Sequence, residues 1–367
     1  MTLALPHPGL TPAADYGAGS RVLRWLRRNL FSSPGNTVLT LAVVAVLAMV
    51  VPPLVRWAVA DASIAGSTPS ACTGDGACWT FVRLRLSQFF FGHYPPDQRW
   101  RLAVIAVLLV GFGYPVVKDQ VRWRFLWVLL LLTLFPVLAA ILLSGGVLGL
   151  PYVDTNLWGG LMLNMVVSFV SVAGSLPIGI VLALGRRSGL PIVRLLSVGF
   201  IELWRGVPLL TVLFMSAVMV PLFLPNGVSI DRLIRAMAAL VLFYSAYMAE
   251  VVRGGLQAVP LGQYEAAGSL GLGWWKVQAF IVLPQALRIV VPGIVNTVVD
   301  LFKDTTLLTI IGLFDLLGAV NQALKDPAWL GHAKEGFAFA SLVFFVCCWA
   351  MSKYGRDFER RLRRSAA

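Results

Sequence analysis

Three small sets of ionisable residues interrupt long apolar stretches of this chain: Glu202 with Arg205, Glu250 with Arg253, and Asp300 with Lys303 and Asp304. Charge at membrane depth is costly, about 2.5 to 3.5 kcal/mol for Asp, Lys or Arg, so such groups need partners or water. Spacings of three and four bring opposite charges onto one side of a helix. Two uses fit them: ion pairs within the bundle or at a subunit interface, and polar contacts for a charged solute. A fourth feature suits docking, since Glu265 stands beside Ala266 and Ala267, two side chains small enough to let another protein approach the backbone. Nothing favours catalysis. There is no GxxxxGK[ST] phosphate loop, so ATP cannot be bound by that route. There is no HExxH and no CxxC pair, and His7, His93 and His332 fall outside the apolar runs, which argues against a metal or haem centre.

Membrane-spanning helices must position these groups. The chain has 367 residues, 58% hydrophobic and 13% charged, with a mean hydropathy of +0.80. Soluble domains run about 45 to 50% apolar and about 25% charged, so one or two soluble domains are excluded. Apolar runs long enough to cross a bilayer fall near 37–56, 100–117, 125–144, 157–184, 195–223, 232–252, 286–318 and 335–352, about eight candidate helices in an all-α polytopic membrane protein. A net charge of +13 would suggest nucleic acid in a soluble protein. Here the cations gather in alternate loops, and no nucleic-acid partner is expected. Arg21, Arg24, Arg27 and Arg28 precede the first run, and Lys118, Arg122 and Arg124 separate the second from the third. Arg186, Arg187 and Arg194 lie between the fourth and fifth, Arg253, Lys276 and Arg288 around the sixth-to-seventh loop, and Lys353, Arg356, Arg360, Arg361, Arg363 and Arg364 after the last. Loops 145–156 and 224–231 contain no Lys or Arg, and the exception is the outer loop at about 57–99, with Arg83, Arg85 and Arg99. Both termini are therefore expected in the cytoplasm, which requires an even number of crossings.

The organisation reads as a basic leader over 1–36, three N-terminal helices within 37–150, a core over 157–352 and a basic tail over 353–367. In the leader, Val22, Leu23, Leu26 and Leu30 share one helical face and Arg21, Arg24 and Arg28 the other. This suits a helix lying on the inner membrane surface, or else a disordered leader that serves orientation alone. A cleaved signal peptide over 21–60 competes, against which stand the long leader, Arg56 and the Pro52, Pro53 pair. Cys72 and Cys78 bracket TGDGA, whose glycines allow a tight reversal, so either a small external disulfide or two free thiols fits. Cys347 and Cys348 read as apolar packers. The core carries the mid-depth charges and the kink formers Pro177, Pro208, Pro221 and Pro292, so function is expected there.

Residues 260–284 connect two spans without being one. Pro260 can begin a short helix, Gly271 and Gly273 can end it, and a second piece from Trp274 to Val282 is expected to stop at Pro284. The spacing of Glu265, Ala266, Ala267, Gly271, Ile281, Leu283 and Pro284 resembles the EAA loop of ABC importer permeases. The run Glu202, Leu203, Trp204, Arg205, Gly206, Val207, Pro208, Leu209, Leu210 is similar to the E-x-x-R-G-T-P-L-L signature of polar amino-acid permeases, with Val207 where Thr is usual. Ala246 to Glu250, Arg253 to Gly255, and Lys303 to Leu307 continue that resemblance, which covers roughly 157–352.

The resemblance implies a five-helix type I ABC importer permease core, preceded by three further helices as in the larger permease of a general L-amino-acid importer. It implies a multi-pass inner-membrane subunit with no cofactor of its own, ATP being bound by a separate ATPase. Glu265, Ala266, Ala267 and Gly271 would then form the coupling element against that ATPase. A second homologous permease, an external solute-binding protein, an amino-acid substrate and membrane lipids would be the other partners. An amino acid offers a carboxylate to Arg205 or Lys303 and an ammonium to Glu202 or Asp300, with Asp304 adjacent. Structural ion pairing remains the other use of these residues. An ion-coupled secondary carrier is the alternative function, but no second copy of either pattern is present.

Overall fold

Backbone removed from water must bond to itself, so long apolar runs become helices. In the computed structural model there is no strand among the described residues. It describes residues 18–364 apart from 73, 119, 120, 122, 148 and 226, and of 18–21, 124 and 362–364 the backbone alone. The first part of the basic leader, with His7, and the side chains of Arg21, Arg122, Arg124, Arg363 and Arg364 thus lie outside the described residues. The described residues divide into two compact units, one reaching Gly66 together with Ser70–Cys78, the other comprising Ser67–Pro69 and everything from Trp79 onward.

In the first unit, α1 (Ala18–Asn29) occupies the expected amphipathic stretch, with Val22, Leu23 and Trp25 exposed. Ser33 starts α2 (Pro34–Val55) by accepting a hydrogen bond from the Asn36 amide, with Pro34 at the first helical position, where its missing N–H costs nothing. Pro52 and Pro53 do not end this helix, which widens into a π turn over Arg56–Ala60. Beyond it, Cys72 and Cys78 are joined by a disulfide. The reversal requires Gly76, where an added Cβ would lie 1.9 Å from the Asp61 carbonyl oxygen.

The second unit opens with a helix in place of the expected loop. α3 (Trp79–Phe91) buries Phe81, Val82 and Phe89 against later helices, with Phe81 5.5 Å from Trp329 and Phe89 5.5 Å from Phe339. α4 (Trp100–Val117) and α5 (Arg124–Ser144) follow the expected bounds and pack on each other. α6 (Gly160–Arg186) runs to the Arg186, Arg187 pair.

The crossing expected over 195–223 is broken. α7 (Pro191–Gly206) and α8 (Leu209–Phe214), which continues through a π turn and α9 (Val220–Leu222), meet at 99°. The break itself is local. Proline disfavours the helical region for the residue before it, and here Val207 (ψ 136°) and Pro208 (ψ 137°) are both extended.

α10 (Arg232–Ala258) is capped by Asp231, which accepts from the Leu233 and Ile234 amides. The short α11 (Leu261–Ser269) follows. The next crossing starts at Trp274, well before the expected 286, as α12 (Trp274–Lys276), a π turn over Val277–Val282, and α13 (Leu283–Asp304). Pro284 does not stop it, because the wide π turn supplies the break in the bonding ladder that proline demands. A 3-10 segment (Thr305–Ile311), α14 (Leu316–Ala323) and α15 (Ala333–Arg364) complete the chain. Seven helices among the described residues are long and apolar enough to cross a membrane, and the bent pair makes up to eight.

The main core lies between α6, α10 and α13, and includes Leu163, Val167, Leu240, Tyr244 and Leu301. Glycine sets the closest approaches, since a Cβ on Gly179 would meet Met248 at 2.6 Å and one on Gly255 the Ala286 carbonyl oxygen at 2.6 Å.

Candidate functional site

The loop between α10 and α13 owes its shape to its glycines. α11 ends in a Schellman turn: the Gly271 amide donates to the Gly268 carbonyl at 2.9 Å and the Leu272 amide to the Ala267 carbonyl at 3.2 Å. Gly271 supplies the left-handed residue this needs, with φ of 71°. Leu272 then packs with Tyr264 against a second core that contains Ala183, Ala249, Leu256 and Ala267. Glu265 and Ala266 project outward, whereas Ala267 is 2% exposed. This departs from the expectation that both alanines face a partner. Ala267 is small so that α11 can sit closely on its own bundle.

A guanidinium braces the same loop. Arg187 Nη1 donates to the Leu256 carbonyl at 2.9 Å and to the Tyr264 hydroxyl oxygen at 3.1 Å. The Tyr264 hydroxyl in turn donates to the Leu256 carbonyl at 3.3 Å.

Nearby, the expected partners Glu202 and Arg205 are shared out among other helices. Glu250, with its side chain 17% exposed, is the hub: Arg186 Nη1 reaches Oε1 at 2.8 Å, and Arg253 donates to Oε2 through Nε at 2.9 Å and Nη2 at 2.7 Å. Arg205 Nη1 lies 3.8 Å from the same Oε2, while Glu202 accepts from Arg186 at 3.1 Å. Three cations on α6, α7 and α10 thus face two carboxylates. Arg205 also lies over the Tyr247 ring, 5.9 Å from its centre.

Tyr247 leads into a cavity of about 380 Å³ between α10 and α13, lined by Phe243, Tyr244, Tyr247, Thr297, Asp300, Lys303 and Asp304. The structure therefore brings all three expected α13 charges to one space. Lys303 Nζ lies 3.0 Å from Asp300, and the Tyr244 hydroxyl donates to Asp304 at 2.6 Å. Asp300 is the twenty-seventh residue of the 38-residue crossing Trp274–Ile311, in its last third.

Residues 175–364 match the family described as the binding-protein-dependent transport system inner membrane component. The chain belongs to this family. The permease is 51% identical over 363 residues to the inner membrane amino-acid ABC transporter permease protein YhdY of Escherichia coli (strain K12), covering 97% of this chain and 96% of the relative. It is 37% identical over 427 residues to the glutamate/glutamine/aspartate/asparagine transport system permease protein BztC of Rhodobacter capsulatus, covering 98% and 96%. Among solved structures, the crystal structure of an amino acid ABC transporter with histidines is similar with a TM-score of 0.50 and 29% identity, over 55% of this chain and 92% of that one. These similarities support an ABC importer permease and set aside the ion-coupled carrier.

The permease also contains a buried polar knot that sequence reasoning missed. Asn164 Nδ2 donates to Thr305 Oγ1 at 2.7 Å and to Asp315 at 3.1 Å, and Asn164 Oδ1 accepts from the Leu316 amide at 2.9 Å. Asp315 further accepts from Thr309 at 2.6 Å and from the Gly318 amide at 3.0 Å. Burial pushes the Asp315 carboxyl above the ordinary Asp range, against the opposing pull of these hydrogen bonds. The knot ties α6 to the end of the α13 crossing and to α14. One signal was available: Asn164 is the only amide within the apolar run 157–184.

Proposed function

We propose that this permease forms half of the pathway of an ATP-driven amino-acid importer, working with a second homologous permease, ATPase subunits and an external solute-binding protein. The observation that carries the reading is α11. Its outer face shows Glu265 and Ala266 while Ala267, Leu272 and Tyr264 root it in the core shared by α6, α10 and the α12–α13 crossing. A push on such a rooted element moves the helices that hold it. The family's description as binding-protein-dependent transport and the amino-acid transporter names of the relatives support a binding protein and an amino-acid cargo, and the alternation of basic loops supports cytoplasmic termini with α11 on the cytoplasmic side.

For the solute we favour the α10–α13 cavity. Asp300 and Asp304 offer carboxylates to an ammonium and Lys303 a cation to a carboxylate, with the Tyr244 and Tyr247 rings as walls. Glu202 and Arg205 belong with the Glu250 hub as structural pairs at one end of it.

Co-purification tests the complex, and uptake by the reconstituted assembly tests the cargo. The tagged permease should bring down an ATPase and a second permease, and Glu265→Arg should release the ATPase. A permease that accumulates amino acids alone would overturn the reading. Asp300→Asn should weaken substrate affinity several-fold, and unchanged affinity would remove the cavity from the pathway.

A further inference from the structure

A second cavity, of about 330 Å³, lies beneath α11 and is lined by Leu184, Arg187, Tyr264, Trp274, Val277 and Gln278. Its lining differs from that of the α10–α13 cavity: a guanidinium, two aromatic side chains and an amide, with no carboxylate. Only Nη1 of Arg187 is engaged, on Leu256 and Tyr264. Its Nε and Nη2 donate to nothing among the described residues, nor does the side-chain amide of Gln278 on the cavity wall. Arg187 reaches solvent at the cavity mouth, so these donors are open to an incoming acceptor, and an anion bound there gains charge-assisted hydrogen bonds.

Charge indicates which acceptor. The chain around the cavity is predominantly basic: 181–201 holds Arg186, Arg187 and Arg194 and 266–299 holds Lys276 and Arg288, with no Asp or Glu in either, and Glu265, next to the lining Tyr264, projects outward. Glu202 and Glu250 engage Arg186 but not Arg187. Depth indicates the source. Trp274 and Trp275 stack edge to face at 4.5 Å, and Trp275 and Phe280 stand largely exposed beside the cavity. Tryptophan concentrates at the headgroup level of a bilayer, and basic pockets at that level on the inner side suit anionic lipid headgroups. A guanidinium matches a phosphate through two parallel N–H donors.

We propose that this cavity binds the headgroup of an anionic phospholipid of the inner leaflet, its phosphate held by Nε and Nη2 of Arg187 and by the Gln278 amide. Tyr264 is both a wall of the cavity and the neighbour of Glu265, so occupancy stiffens the root of α11. The proposal rests on the functional reading only for the side of the membrane on which α11 lies.

The test exchanges the full-length permease, in its complex, into nanodiscs of phosphatidylcholine with and without phosphatidylglycerol, and counts retained lipid by native mass spectrometry. The wild type should keep phosphatidylglycerol in preference to phosphatidylcholine. Arg187→Gln should lower that preference several-fold, and Arg187→Lys should restore part of it. Should Arg187→Gln fail to fold, Gln278→Leu carries the test with the same expected direction. A wild type that keeps both lipids equally overturns the proposal, as does an undiminished preference in the folded variants. Inorganic phosphate added to the discs separates the sources: displacement of phosphatidylglycerol by it would make this a free-phosphate site and overturn the lipid assignment. Lipid retention is read without transport, so a failed importer reading would appear as absent uptake with the lipid preference intact.

Discussion

Arg186, the last residue of α6, and Glu250, two turns from the end of α10, are joined by a 2.8 Å hydrogen bond although 64 residues separate them in the chain. The same carboxylate receives both donors of Arg253 and faces Arg205. One carboxylate thus faces three cations at a junction of α6, α7 and α10.

Glu250→Gln should therefore be among the most damaging single substitutions on this side of the bundle. It leaves three guanidinium groups with Glu202 alone. The expected loss is about 1 to 3 kcal/mol, toward the lower end because the arginines are partly exposed. Thermal unfolding of the solubilised complex measures it. Glu202→Gln should cost less, since Glu202 is more exposed than Glu250 and accepts from Arg186 alone.

The polar knot makes a pH-dependent prediction. The Asp315 carboxyl holds its proton more tightly in the folded than in the unfolded chain, because burial disfavours the anion. Its contribution to stability is therefore full below the ordinary Asp value, about 3.9, and is lost as pH rises through the raised folded value. Asp315→Asn removes that dependence. Melting temperatures taken across this window should shift in favour of the variant, relative to wild type, as pH rises; a gap that does not change with pH would contradict the assignment. Asn164→Ala should cost about 2 to 4 kcal/mol at any pH, since it leaves the Leu316 amide and one side of Asp315 buried without that partner.

Legibility in the sequence followed the range of the forces involved. The bounds of α4 and α5 were readable because an apolar run ending at Lys118 and another starting after Arg124 are local facts. The break after Gly206 was readable too, since Gly206 and a proline two residues on both disfavour continuing the helix, but the 99° turn was not, because tertiary packing directs the second half. α3 was lost because Arg83, Arg85 and Gln88 interrupt its apolar residues, and what holds it, an Arg85–Asp326 ion pair among other contacts, comes from the far end of the chain. The ionisable sets show the same limit. Spacing placed Asp300 with Lys303, which is where they are. It also suggested Glu202 with Arg205, which instead take partners on α6 and α10. Neither Tyr244 nor Arg187 could be found by periodicity, since each acts through a residue on another element.

Gly271 offers a backbone test. No atom lies within 4 Å of the position a Cβ would take, so strain at φ of 71° is the whole penalty. Gly271→Ala should cost about 1 kcal/mol and Gly271→Val more, whereas Gly271→Asn, which tolerates the left-handed region, should be milder than either. ATP hydrolysis by the reconstituted complex, with and without loaded binding protein, should show the same rank order in lost stimulation. Equal effects of Asn and Val would mean that the Schellman turn is not what holds α11.

The two adjacent alanines should separate rooting from docking. Ala267 lies in the core with Ala183, Ala249 and Leu256, so Ala267→Leu forces extra methyl groups into a packed site, and overpacking of this kind costs about 1 to 3 kcal/mol. Its mark should be a lowered melting temperature of the isolated permease. Ala266 is exposed on the face that carries Glu265, so a leucine there has room outside the core. Ala266→Leu should therefore leave the melting temperature unchanged and instead weaken capture of the ATPase. The reverse pattern, with Ala266→Leu destabilising and Ala267→Leu affecting only ATPase capture, would show that α11 presents its other face to the partner.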